Sequence, residues 1–185
     1  MRAERLDRSA RRGAGGPWSL VAAVAVGALL VLVVRVFLLE PLTVQGSSML
    51  PNFVTGERIL VARWAFWFSP PRDGEVVILR PPLTGQTSDD YIKRVVATAG
   101  QTVAMVNGRV EVDGRRRRHA YRVVHDHDTF APMRVPPRRV FVLGDNRPVS
   151  LDSRIFGFVP YRNLRGVAFF VLWPLSRFGP VPWIR

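Results

Sequence analysis

The chain has 185 residues, 48% of them hydrophobic, with 27 Lys and Arg against 14 Asp and Glu and no cysteine. That length holds one compact domain and an appendage, and the absence of cysteine excludes disulfides, thiol nucleophiles, zinc fingers and iron–sulfur clusters. A formal charge of +13 predicts attraction to a polyanion, either nucleic acid or an anionic membrane surface, while the apolar fraction is too high for a disordered basic tail.

Residues 1–17 form a basic tail in which Arg2, Arg5, Arg8, Arg11 and Arg12 face only Glu4 and Asp7. No polar side chain occurs from Leu20 to Val34; Arg35 then interrupts, and Val36–Leu39 resumes the apolar run. As a helix, residues 18–39 would span about 33 Å, enough to cross a bilayer core of about 30 Å. Arg35, near the far end, can snorkel to the head groups. A cleaved secretory signal is the competing reading, but no Ala-x-Ala site follows the run, where the next residues are Glu40-Pro41-Leu42-Thr43, and this favours an uncleaved transmembrane anchor. The N-terminal arginines hold that end in the cytoplasm and put residues 40–185 outside. Their basic excess would then face anionic lipid and needs no nucleic acid to explain it.

After residue 40 the pattern is that of a small all-β domain. Short β-rich runs recur at Arg58–Arg63, Glu75–Arg80, Tyr91–Ala97, Thr102–Val106, Arg109–Val112, Tyr121–Val124, Arg139–Leu143 and Val167–Leu172. Asn107-Gly108 predicts a type I′ hairpin turn, and Asp113-Gly114 marks the next one. No stretch beyond residue 40 shows a helical period. Among the aromatics, Trp173 is expected in the core. Phe66-Trp67-Phe68 cannot all face one side of a strand, which leaves Trp64–Phe68 divided between core packing and a loop dipping into the lipid interface.

Three segments carry chemistry. The first, Gly46-Ser47-Ser48-Met49-Leu50-Pro51, offers a tight turn that presents a hydroxyl beside converging N–H groups, the geometry of an oxyanion hole; alone it reads equally as an ordinary turn. The second, Tyr91-Ile92-Lys93-Arg94-Val95-Val96, holds the only lysine of a chain that otherwise uses arginine for positive charge. An arginine cannot serve as a base, whereas a lysine can be neutralised by burial. Deprotonating it at pH 7 against an ordinary pKa of about 10.4 costs about 4.6 kcal/mol. The third runs from Gly144-Asp145-Asn146-Arg147 to Ser150-Leu151-Asp152-Ser153-Arg154. There Asp152 and Arg154 are spaced to pair and lock a loop, Ser150 can orient a lysine nitrogen, and Asp145-Asn146 also suits a plain Asx turn.

Taken in this order, behind an apolar anchor, the three segments resemble the bacterial type I signal peptidases, over residues 20–175. The resemblance implies an all-β catalytic domain of coiled antiparallel sheets with one N-terminal transmembrane helix, and neither metal nor cofactor. It implies removal of N-terminal signal peptides from exported preproteins, after small residues at −1 and −3, by a single-pass, monomeric enzyme on the outer side of the cytoplasmic membrane. By position, Ser48 would be the nucleophile and Lys93 the general base. Ser150 would hydrogen-bond the base; Asp145, Asp152 and Arg154 would brace the site; Gly46, Ser47 and Met49 would shape the nucleophile turn. Pro51-Asn52-Phe53 and Ala97-Thr98-Ala99-Gly100-Gln101 depart from the family pattern. Gly46 stands where some members carry a serine hydroxyl in the oxyanion hole, so backbone N–H groups, that of Ser48 foremost, would have to serve. A self-cleaving serine–lysine repressor would require a DNA-binding domain in place of the anchor. A serine–histidine protease would draw on His119, His125 or His127, all in a polar, basic stretch. His125-Asp126-His127-Asp128 is a weak metal signal, and the non-enzymatic reading is an anchored β domain that binds anionic surfaces through Arg115–Arg118.

Overall fold

The computed structural model describes residues 17–33, 39–82, 89–117 and 121–181. His119, Arg118 and Trp183 lie outside these residues, as do residues 1–16. Helix α1 spans Pro17–Val33, and its side chains from Trp18 to Leu32 are exposed. No helix among the described residues is long and apolar enough to cross a membrane. Residues 34–38, toward the far end of the expected anchor, are outside the described set, and Leu39 already belongs to strand β1.

The remainder is built from antiparallel strands. One sheet has the order β1-β2-β11-β3-β4-β9-β10, formed by Leu39–Thr43 (β1), Arg58–Ala62 (β2), Val76–Leu79 (β3), Tyr91–Thr98 (β4), Arg139–Leu143 (β9), Val159–Pro160 (β10) and Leu164–Trp173 (β11); Gly179–Pro180 (β12) pairs with β11. A smaller sheet has the order β7-β6-β5-β8, from Thr102–Val106 (β5), Arg109–Val112 (β6), Arg115–Arg116 (β7) and Phe130–Arg134 (β8). Register shifts interrupt β11 against β2 and β3, and β4 against β9. Such bulges strengthen the local twist and curl a sheet.

Strand composition decides where the core sits. All four residues of β3 are buried. On one face, Val76 and Ile78 join Val44, Met49, Phe53, Ile59 and Ile92; on the other, Val77 and Leu79 join Val95, Val142 and Val159. A third cluster ties the two sheets together, with Phe141 between the rings of Phe130 and Phe158 at 5.6 and 5.8 Å. The Asn107-Gly108 turn has φ of 48° and 75°, both positive as a type I′ turn demands.

Several elements depart from the sequence reading. Edge strands β1 and β8 carry Pro41 and Pro132, which break the expected pattern yet are tolerated where no inward N–H is needed. Tyr121–Val124 is not a strand: beyond one isolated bridge from Val124 to Asn146, its backbone bonds run to loops. Ala65–Phe68 is a single helical turn, α2, which fans the aromatics apart; Phe66 packs on the core while Trp67 and Phe68 are 64% and 83% exposed. Trp173 is half exposed, not in the core, because a register shift at the end of β11 turns it outward just before Pro174.

Candidate active site

Ser48 lies in the turn that follows β1, and the fold holds that turn from several sides. Val44 N donates to Glu57 O and Gly56 N to Val44 O, closing the loop into which Gly46 (φ 81°) bends the chain. Met49 and Phe53, each 1% exposed, pin the turn to the core. From the opposite loop, Asn146 N donates to Ser48 O at 2.9 Å and Asn146 Nδ2 to Ser47 O at 3.1 Å. Gly144 packs so closely that a Cβ there would stand 2.2 Å from Ser150 Oγ and 2.6 Å from Ser48 O. No residue but glycine fits between them.

Strand β4 delivers Lys93 to the same place. Its Nζ donates to Ser48 Oγ at 2.8 Å and to Ile92 O at 3.0 Å, and sits 5.4 Å from the centre of the Tyr91 ring. The residue is 3% exposed. Burial pushes the amine's pKa down from 10.5 to about 8, with Asp152 and Asp145 pulling the other way. Neither carboxylate is free to pair with it. Asp145 takes a bidentate pair from Arg94, Nε to Oδ1 at 2.9 Å and Nη2 to Oδ2 at 2.7 Å, with both side chains buried. Asp152 takes Nε and Nη2 of Arg154 at 2.9 Å each, and its Oδ2 also accepts Gly144 N at 3.1 Å. Asp152 further caps helix α3, Ser153–Phe156, by accepting Arg154 N. Both carboxylates are therefore saturated by guanidinium groups, and the amine is left with a hydroxyl and a carbonyl.

Ser48, Lys93, Gly46 and Ser47 line one cleft of about 810 Å³, whose other walls include Leu42, Ile78, Tyr91, Ile92, Val149 and Leu151. Two strand edges that are unpaired among the described residues border it. Strand β1 ends its sheet, and β4 pairs with β9 only from Arg94 onward, which leaves the β9-facing edge of Tyr91–Lys93 open. The N–H of Ser48 has no acceptor among the described residues. An amine able to shed its proton, a hydroxyl in contact with it and an unengaged N–H together make nucleophilic acyl transfer feasible.

Ser150 behaves differently from its expected role. Its hydroxyl is buried and has no hydrogen-bond partner among the described residues, so no bond to Lys93 forms; it is packed against Gly144 instead. His125 Nδ1 lies 3.0 Å from Gly108 O and His127 Nδ1 3.0 Å from Asn107 Oδ1, on the hairpin turn, and neither lines the cleft. The sequence reading overlooked Asn52, whose Nδ2 donates to Asp145 Oδ2 at 2.8 Å and to Arg122 O at 2.6 Å. It also overlooked Tyr121, whose ring lies 3.7 Å beneath the Arg94 guanidinium. Only their long-range partners reveal them, and local spacing holds no trace of those.

Residues 18–173 match the family described as signal peptidase, peptidase S26. The chain is 36% identical over 172 residues to a probable signal peptidase I-1 of Synechocystis sp., an alignment covering 88% of each protein. It is 33% identical over 168 residues to signal peptidase I P of Bacillus subtilis subsp. natto, covering 85% of this chain and 89% of that one. The crystal structure of a signal peptidase I from Enterococcus faecalis V583 aligns with 54% of this chain and 97% of its own, at 28% identity and a TM-score of 0.44.

Because Lys93 is the only lysine, selective 13C labelling of lysine gives one Cε resonance to titrate. Its midpoint is expected near pH 8. A midpoint at 10 or above would contradict the buried geometry.

Proposed function

The chain belongs to the signal peptidase family, peptidase S26, and is an enzyme of the signal peptidase I type; from that membership we propose that it removes signal peptides by a Ser48–Lys93 dyad. The observation that carries the proposal is the 2.8 Å contact between Nζ and Oγ at a buried amine. Neutral Lys93 takes the proton of Ser48, whose oxygen attacks the scissile carbonyl of the preprotein. The resulting oxyanion is held by backbone N–H groups, the unengaged Ser48 N–H first, a contribution of about 3–4 kcal/mol per donor in related chemistry. Lys93 returns the proton to the leaving amine of the mature protein. Water then gives a proton to Lys93 and attacks the acyl carbon; the ester bond to Ser48 Oγ breaks, and Lys93 returns that proton to the departing oxygen, which restores Ser48 and the neutral amine.

The cleft suits an extended peptide. Its two open strand edges can each hydrogen-bond a strand laid between them, so that main-chain bonds supply affinity and alternate side chains enter the walls. Leu42, Ile78, Ile92, Val149 and Leu151 supply the aliphatic lining. An aliphatic lining accepts small apolar side chains, and cleavage after small residues at −1 and −3 is part of the same proposal.

The same reading puts the enzyme on the outer face of the cytoplasmic membrane as a monomer, tethered by the apolar segment that starts at Trp18 and ends before β1, with the arginine-rich end inside. The exposed Trp64, Trp67 and Phe68 add a second, interfacial contact.

Two sets of variants test this. On a preprotein substrate, Ser48→Ala and Lys93→Arg should each lose at least about a thousandfold in kcat/KM, the arginine variant because it keeps the charge and removes the base. In the parent, kcat/KM should climb with pH below about 8 and level off above it, since only the deprotonated amine accepts a proton. Appreciable processing by either variant would end the dyad proposal. Separately, Trp67→Ser with Phe68→Ser should reduce partitioning onto lipid vesicles severalfold while cleavage of a short soluble peptide stays within twofold. Unchanged partitioning would remove the interfacial contact.

A further inference from the structure

Residues 121–128 do not form the strand expected over Tyr121–Val124; His125 and His127 are exposed, as a solvated loop requires, while Tyr121 is buried and Asp126 half-buried. The segment runs as a strap between the two sheets and touches both halves of the site. Asn52, four residues after Ser48, grips Arg122 with both amide atoms, Nδ2 to the carbonyl at 2.6 Å and Oδ1 from the N–H at 3.3 Å. Val124 N donates to Asp145 O at 2.9 Å and Val124 O accepts Arg147 N at 3.0 Å. On its other side the strap is fastened to the hairpin turn: Gly108 N donates to Asp128 O at 2.8 Å, and a Cβ on Gly108 would stand 2.1 Å from Asp126 O. The turn thus needs its glycine for the strap as well as for its own backbone.

The strap's carboxylates meet Arg154. Nε of that guanidinium donates to Asp152, and Nη2 is shared among Asp152 at 2.9 Å, Arg147 O at 2.7 Å and Ser150 O at 3.4 Å. Nη1 donates only to the strap, to Asp126 Oδ2 and, at 2.8 Å, to Asp128 Oδ2. The two partners are unequal. Arg154 and Asp126 have side chains 9% and 12% exposed, while Asp128 is 57% exposed and screened by water. From Asp126 a short path leads to the nucleophile: Arg154 orients Asp152, Asp152 accepts the N–H of Gly144, and Gly144 lies against the Ser48 carbonyl.

We propose that Asp126 is a positioning residue for this enzyme, acting through Arg154 and Asp152 to hold the Gly144–Asn146 loop against the Ser48 turn. It does not touch substrate. The inference rests on the Ser48–Lys93 reading. Loss of Asp126 loosens the loop that fixes Ser48 relative to Lys93, and misplacement of a nucleophile by a fraction of an ångström slows the chemical step more than it weakens substrate binding.

The test is a double-mutant cycle on the full-length chain in detergent, with kcat and KM measured on a preprotein well below each variant's melting temperature and normalised to folded protein by circular dichroism. Asp126→Asn should lower kcat about tenfold with KM within twofold, Asp128→Asn should stay within twofold of the parent, and Asp126→Glu should recover most of the loss. In an Arg154→Gln background, Asp126→Asn should change kcat by less than twofold, because the path it acts through is already cut. A kcat for Asp126→Asn within twofold of the parent overturns the proposal, and so does a tenfold cost that persists in the Arg154→Gln background. If Asp126→Asn does not fold, Asp126→Ala, which also removes the carboxylate, carries the same cycle with the same criteria. Failure of the dyad itself shows elsewhere, as activity retained by Ser48→Ala, so the two outcomes are separable.

Discussion

A lysine amine in contact with a serine hydroxyl, 3% exposed and without a carboxylate of its own, is the constraint around which this domain is arranged. Removing an ammonium from water disfavours its charged form. Here that pull lowers the pKa to about 8 against opposing contributions from Asp152 and Asp145, a difference from the ordinary lysine of about 3 kcal/mol. The folded state holds its proton less tightly than the unfolded chain, so below pH 8 the charged amine destabilises the fold by about that amount. The penalty is relieved as pH rises toward the ordinary value near 10.5. At pH 7 about a tenth of the molecules carry the neutral amine, which is enough to supply a base without burying Lys93 any further.

The arginines explain how this is achieved among so many charges. Arg94 and Arg154 occupy Asp145 and Asp152 with two-pronged bonds, and these carboxylates would otherwise pair with the lysine and keep it protonated. Buried ion pairs of this kind add little net stability, because desolvation offsets their attraction. Their contribution is geometric. Each fixes one loop: Asp145 joins β4 to Asn52 in the segment after Ser48, and Asp152 joins α3 to Gly144. Arginine suits this task, since its planar fork fits a carboxylate and it stays charged; a second lysine in its place would compete for the role of base.

Much of the chemistry was readable from the chain because it depends on residue type and local order. Lys93 stood out as the sole lysine, Gly46-Ser47-Ser48 as a turn presenting a hydroxyl, and Asp152 and Arg154 as a pair two residues apart, and the structure brings all of these together. The strands β5, β6 and β9 and the Asn107-Gly108 turn were equally plain, since short runs rich in β-branched residues, bounded by turn residues, and the positive φ of an Asn-Gly turn leave marks in sequence. What escaped was set by distant partners. Strands β1 and β8 contain prolines that only an edge position excuses. The strap of residues 121–128 has no period because its bonds go to three different loops. Trp173 looked like core until a register shift turned it outward, and Ser150, two residues before Asp152, suggested a bond to Lys93 that its unpartnered hydroxyl does not make.

Chemical capture of the intermediate tests the central claim most directly. A slowly hydrolysed preprotein analogue, quenched in acid within a single turnover and digested, should yield one peptide carrying the signal-peptide fragment as an ester on Ser48, and none when Lys93 is replaced by arginine. An ester on any other side chain, or turnover with no covalent species, would mean that the 2.8 Å contact between Lys93 and Ser48 is not the catalytic one.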